Sequence, residues 1–270
     1  MGYLPDIRRR DALPLAGVAA GVVAGVAVVQ AGPGIAGLAP VRNALFPALS
    51  GLGWSDHVAL TFDDGPDQAT TPLFLEALRA AGTRATFFLL GSRVAMMPRL
   101  AAELVAAGHE VGVHGWEHRY LPLRGPLATY DDLARTVDTI AAATGVAPAL
   151  FRPAYGVLSG PALVAARRLS LSTVLWSSWG REWRPGATPE MVFATLSADL
   201  DGGGTVLLRD SDCTSPAGSA LAALGALPML LDECERRRLR VGPLGEHGLL
   251  SPGSGRRRVR RAGGLPGHQG

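Results

Sequence analysis

Between Val58 and Val241 the chain alternates short apolar runs with helical segments about seven times, and few architectures accommodate that rhythm. Strands are expected at Val58–Asp63, Ala85–Leu90, Glu110–Val113, Leu150–Phe151, Ser172–Trp176, Thr205–Leu208 and Leu239–Val241. The helices between them carry their own punctuation. Thr70-Thr71-Pro72 opens one that Gly82 closes, and further helical spacing runs through Pro98–Ala107, Thr129–Ala143, Pro161–Leu169, Pro189–Leu200 and a last segment toward Arg238. Near-continuous apolar runs such as Ala-Thr-Phe-Phe-Leu-Leu suit strands buried on both faces. Repeated strand–helix units give right-handed crossovers and a parallel sheet, closed or nearly closed into an α/β barrel. In such folds the site gathers where the strands end.

The strand ends are polar. The first closes with Asp63-Asp64-Gly65-Pro66, two adjacent carboxylates that need a cation, an arginine or a shifted proton to compensate them. The third leads into His114-Gly-Trp-Glu117-His118, the fourth into Arg152-Pro153-Ala154-Tyr155-Gly156, and the sixth into Leu207-Leu208-Arg209-Asp210. Two histidines four apart can face one point if the segment turns helically, and one carboxylate oxygen completes three ligands for a divalent metal. Zinc, the expected cation, tolerates this donor set and leaves a fourth position for water.

This combination resembles the polysaccharide deacetylases, the NodB-homology domain of carbohydrate esterase family 4, over about Val58 to Leu244. The resemblance implies a distorted seven-stranded (β/α) barrel that removes acetyl groups from carbohydrate, with metal-activated water as nucleophile. It assigns Asp64, His114 and His118 to the metal, Asp63 to the general base, and Arg152 to pairing with and aiming Asp63. It further implies that the Tyr155 backbone N–H meets the oxyanion, that Leu207 lines the acetyl-methyl pocket, and that Trp183 walls the site.

Two departures stand out. The family pattern has Leu-x-His where this chain has Leu207-Leu208-Arg209, and its aspartate before the tryptophan of the fourth motif is Glu182 here. Arginine keeps its proton at any working pH and cannot serve as a general acid. A pair between Glu182 and Arg209 is expected, with amide cleavage more impaired than ester cleavage. Two rival readings follow: a glycan-binding pseudoenzyme that keeps the metal rim, and an inverted zincin peptidase using His-x-x-Glu-His, which requires a continuous helix through Gly115.

The remaining sequence bears on location. Residues 1–31 read as a signal or membrane anchor, because Ala12–Val29 is uncharged behind Arg8, Arg9 and Arg10, and about eighteen such residues can cross ~30 Å of hydrocarbon. Residues 32–56 read as a linker, 57–250 as the catalytic domain, and 251–270 as a basic disordered tail. The expectation is an exported monomer, secreted or membrane-anchored, acting on an acetylated glycan. A net charge of only +3, with much of the basic excess near the ends, argues against a nucleic-acid groove. Cys213 and Cys234 are expected to be free thiols, since a helix between them would hold them apart.

Overall fold

The structure, a computed structural model, describes residues 39–249 and the backbone of residues 257–258. The expected signal or anchor at 12–29 lies outside the described residues. Among those described, no helix is long and apolar enough to cross a membrane.

The sheet is built from β1 (His57–Asp63), β2 (Thr86–Leu89), β3 (Glu110–Val113), β5 (Leu150–Phe151), β6 (Ser172–Thr173), β7 (Ser178–Trp179), β8 (Thr205–Arg209) and β9 (Arg240–Gly242). Seven of these follow one another in the order β6-β5-β3-β2-β1-β8-β7, and β9 pairs with the start of β1. Every pairing is parallel. β1 is buried along its whole length, as its apolar run predicts, and forms the axis. Phe62 on it stacks on Phe87 with ring centroids 4.9 Å apart and meets Phe74 edge-on at 5.0 Å. Helices at Thr71–Ala80, Pro98–Ala106, Pro126–Thr144, Gly160–Arg168, Pro189–Ala198 and Ser219–Arg236 occupy the crossovers. The edge strands β6 and β7 are not laddered to each other; residues 174–177 pass between them. This is the expected distorted (β/α) barrel.

The structure adds three details to the sequence reading. The strand expected at Ser172–Trp176 stops at Thr173, because the carbonyls of Val174 and Leu175 turn to accept hydrogen bonds from the Arg152 side chain at 3.3 and 2.8 Å. The segment read as a linker contains a helix, Ala39–Leu45, and its end is fastened to the sheet. Arg42 donates to Ser50 Oγ and to the Trp176 carbonyl, while Thr205 Oγ1 donates to the Gly51 carbonyl. In the tail, β10 (Arg257–Arg258) pairs antiparallel with β4 (Val146–Ala147), and the other residues beyond 249 lie outside the described residues.

The far rim, where the strands begin, is held by a histidine pair. His247 Nε2 lies 3.1 and 2.9 Å from the carbonyls of Gly51 and Gly203, so that nitrogen carries the proton. Its Nδ1 must then accept from His57 Nδ1, 2.8 Å away. Both rings are buried and neutral, and burial pushes the pKa of His57 down to about 4. They are structural groups of the far rim.

Candidate metal centre and catalytic rim

The register of β1 against its neighbours decides what meets on the rim. Asp63 is paired with Phe88 on one side and Arg209 on the other, and Trp179 is paired with Leu207. Side chains on a strand alternate faces, so Asp63 and Asp64 would ordinarily diverge. Asp64 escapes the alternation by adopting a left-handed backbone, φ 77°, which turns its carboxylate into the same cleft. Gly65 is required next, since a Cβ there would lie 2.5 Å from Asp210 Oδ2. Asp210 is fully buried beneath this turn, accepts from Thr71 Oγ1, and has its pKa pushed up to about 7, chiefly by burial.

Asp64, His114 and His118 converge, their ligand atoms all lying within 4.8 Å of one another. Asp64 Oδ1 stands 3.3 Å from His114 Nε2 and 3.7 Å from His118 Nε2. His114 Nδ1 lies 2.8 Å from the Arg152 carbonyl, which fixes the proton there and leaves the Nε2 lone pair facing the cluster. The two imidazoles come together without a helix, because residues 114–118 form an irregular loop in which Gly115 has φ 99°. That loop excludes the inverted zincin geometry, and Glu117 is instead tied at the surface to Arg119.

The residues fit a divalent cation. Asp64 Oδ1 is buried yet has no hydrogen-bond partner among the described residues, while Oδ2 accepts from Arg209 Nε at 2.8 Å and from Thr214 Oγ1. A buried carboxylate oxygen left unpaired between two imidazole nitrogens is what a ligand atom looks like before its ion is added. Burial alone would raise the pKa of Asp64, but the neighbouring His114, then His118 and Arg209, hold it well below the usual carboxylate range. Burial pushes His118 down to about 4, with the charge of His114 adding to it, so that ring is neutral. His114 goes the other way: burial opposes protonation, yet Asp63 and Asp64 raise its pKa, so a proton competes with a metal for its Nε2.

Asp63 sits beside the cluster, with Oδ2 3.8 Å from His114 Nε2. Its other oxygen accepts from Arg152 Nη1 at 2.8 Å, and the same nitrogen lies 2.7 Å from Thr61 Oγ1. Arg152 is wholly buried, so the compensation that the paired carboxylates demanded comes from an immobile guanidinium. A cavity of about 320 Å³ opens over these groups, lined also by Tyr155, Trp176, Trp179, Trp183, Leu207 and Arg209. Tyr155 has a left-handed backbone, φ 59°, and its ring packs edge-on to His118 with centroids 4.2 Å apart. Gly156 must follow it, because a Cβ there would lie 2.5 Å from the ring of Trp176.

The expected pair between Glu182 and Arg209 is present at 3.1 Å. What the sequence did not disclose is that Arg209 also bonds Asp64, bridging a carboxylate of the ion cluster to a fully buried glutamate. Burial raises the pKa of Glu182 against the pull of Arg209, and Glu182 Oε2 has no hydrogen-bond partner among the described residues. The loop after β8 was also missed. Thr214 binds Asp64 Oδ2 and the Cys213 thiol donates to the Asp64 carbonyl at 3.3 Å, contacts that no periodicity in Asp-Ser-Asp-Cys-Thr-Ser could signal. Both cysteines are free, Cys213 exposed and Cys234 buried.

Fold and site together define a class: a (β/α) barrel with a buried Asp-His-His cluster on its C-terminal rim and a second, arginine-held aspartate beside it. The polysaccharide deacetylase family model matches residues 54–174. Over 196 residues the chain is 34% identical to the chitooligosaccharide deacetylase of Bradyrhizobium sp. (strain ANU 289), covering 69% of this chain and 88% of that protein. The chain belongs to the polysaccharide deacetylase family. Among solved structures it resembles the Bc1960 peptidoglycan N-acetylglucosamine deacetylase, with a TM-score of 0.68 and 26% identity over 74% of this chain and 92% of the other. It also resembles a mutant of BA3943, described as a family 4 carbohydrate esterase pseudoenzyme with restored activity, with a TM-score of 0.63 and 25% identity over 72% and 67% of the two chains. The chain spans 40% of the length of larger curated peptidoglycan deacetylases that it matches at 30% identity.

Proposed function

We propose that this chain is a metal-dependent hydrolase that removes acetyl groups from N-acetylated, or O-acetylated, carbohydrate. The observation that carries the reading is the unpartnered, buried Asp64 Oδ1 facing two imidazole nitrogens beside an arginine-held Asp63. The names of the relatives point the same way. Zinc is the cation the two nitrogens and one oxygen suit best, and when bound it supplies Lewis-acid polarisation and a lower proton affinity for water.

The chain's own residues supply the rest. Asp63, aimed by Arg152, accepts the proton of the attacking water. His114, with its proton fixed on Nδ1, offers a lone pair and not an N–H to the cluster. The Tyr155 N–H receives the developing oxyanion, since a backbone donor needs no reorganisation as charge forms. Leu207 and Trp183 shape the space for the acetyl methyl and exclude water from it. An envelope glycan outside the cytoplasm is the proposed substrate, on the strength of the arginine-flanked apolar segment.

Arg209 favours a second reading, in which the rim binds glycan without turnover. Acetate release decides between them. Full-length protein should release acetate from acetylated oligosaccharides, lose this on chelation and regain it with zinc, and D64N should stay inactive. Acetate release that chelation leaves unchanged would remove the hydrolase mechanism, and metal binding with no release would favour the binder.

A further inference from the structure

Arg209 lines the cavity beside the Asp-His-His cluster, and its bonds say what it can do there. Nε donates to Asp64 and Nη1 to Glu182, while Nη2 has no hydrogen-bond partner among the described residues, and the side chain lines the cavity. Two carboxylates therefore hold a planar cation in place, with one N–H-bearing nitrogen uncommitted. The other titratable groups lining the cavity are Asp63, His114, His118 and Tyr155. The two imidazoles belong to the ion cluster, Asp63 is fastened to Arg152, and the Tyr155 hydroxyl is turned to the His118 carbonyl at 3.5 Å. The cavity holds a fixed positive charge and lacks a dedicated acid.

We propose that Arg209 makes this site selective for acetyl esters of carbohydrate over acetyl amides. The inference rests on the hydrolase reading above. In either substrate a bond forms between water oxygen and the acetyl carbon, the water proton passes to Asp63, and the carbonyl oxygen takes the negative charge. With an ester, the carbon–oxygen bond to the sugar then breaks and its electron pair leaves on the sugar oxygen. The Arg209 charge stabilises that alkoxide, which collects from solvent the proton that Asp63 releases to it, and acetic acid departs and ionises to acetate in solution. With an amide, the nitrogen cannot leave as an anion and must gain a proton before the bond breaks. Arg209 cannot give one at any working pH. Loss of a positioned acid costs about 10²- to 10⁴-fold, and the amide bears that loss.

The test uses full-length, zinc-loaded protein and two forms of one amino-sugar oligomer, one N-acetylated and one carrying O-acetyl groups on free amines. For wild type, the ester-to-amide ratio of kcat/KM, corrected for the ratio of hydroxide-catalysed rates, should exceed about 10². R209H, which introduces an ionisable acid, should lower that ratio by about 10²-fold through a faster amide reaction. R209Q, with neither charge nor acid, should lose ester rate, which a merely structural arginine would not single out. A corrected wild-type ratio near one overturns the proposal, because Asp63 would then be returning its own proton to the leaving nitrogen. So does an R209H ratio equal to the wild-type ratio. The wild-type ratio stands even if a variant fails to fold, as circular dichroism would reveal. Zinc binding without release from either substrate, in wild type and R209H alike, would instead overturn the hydrolase reading and this inference with it.

Discussion

Replacing Arg152 by methionine would strand Asp63. The guanidinium is wholly buried and makes four side-chain hydrogen bonds: to Thr61 Oγ1 at 2.7 Å, Asp63 Oδ1 at 2.8 Å, the Leu175 carbonyl at 2.8 Å and the Val174 carbonyl at 3.3 Å. Methionine fills most of the volume and satisfies none of these. Asp63 is itself only 3% exposed, so its carboxylate would keep a buried charge without a partner, a change that costs about 3–5 kcal/mol. The two carbonyls add about 1–3 kcal/mol each if water cannot reach them, although such terms overlap. A loss of at least ~3 kcal/mol corresponds to a fall in Tm of about 6–12 °C for a domain of this size. Thermal and urea unfolding with chelator present, followed by circular dichroism, would measure it. In a cycle with D63N, the double variant should be more stable than the two single losses predict, by about 0.5–3 kcal/mol. A loss below ~1 kcal/mol for R152M, or an additive cycle, would show that Asp63 does not depend on this arginine.

Two further outcomes follow from the geometry. Zinc at a hundredfold excess over its Kd should stabilise the wild type by about 2.7 kcal/mol, and H118A should abolish the resulting Tm shift; an equal shift in H118A would place the ion elsewhere. The His57–His247 pair predicts acid sensitivity. Burial, then the charges of His247 and Arg240, depress the folded pKa of His57 from 6.5 to about 4, against a smaller opposing pull from Asp56. A depressed pKa means that the unfolded chain binds the proton more readily. This stability is thus full above pH 6.5 and drains away as pH falls toward about 4. The urea midpoint of H57Q should vary less across that window than that of wild type, and an unchanged slope would count against the neutral pair.

Much of the candidate site was legible before any fold was known, because its side chains come from strand ends and strand ends are visible in the sequence. Apolar runs closing on Asp63-Asp64, on His114 and on Arg152 mark a common rim once parallel crossovers are inferred, and the His-x-x-x-His spacing limits what chemistry can sit there. The linker and the loop after β8 were less legible. Their contacts are made by single polar atoms, Arg42 on the Trp176 carbonyl and Thr214 on Asp64, in stretches with no hydrophobic period to read.

The sequence by itself determined the fold class, the candidate Asp-His-His cluster and the presence of an arginine where an acid was expected, since each is a matter of residue type at a position along a strand. Only the tertiary structure decided which Asp64 oxygen stays unpaired, which nitrogens of Arg209 are committed, and which tautomer the His57–His247 pair must hold. Those facts depend on the parallel register that sets Asp63 beside Arg209 and on a left-handed turn at Asp64. A register relates residues far apart in the chain, and a hydrogen bond is directional over a few tenths of an ångström, so neither is encoded in local spacing.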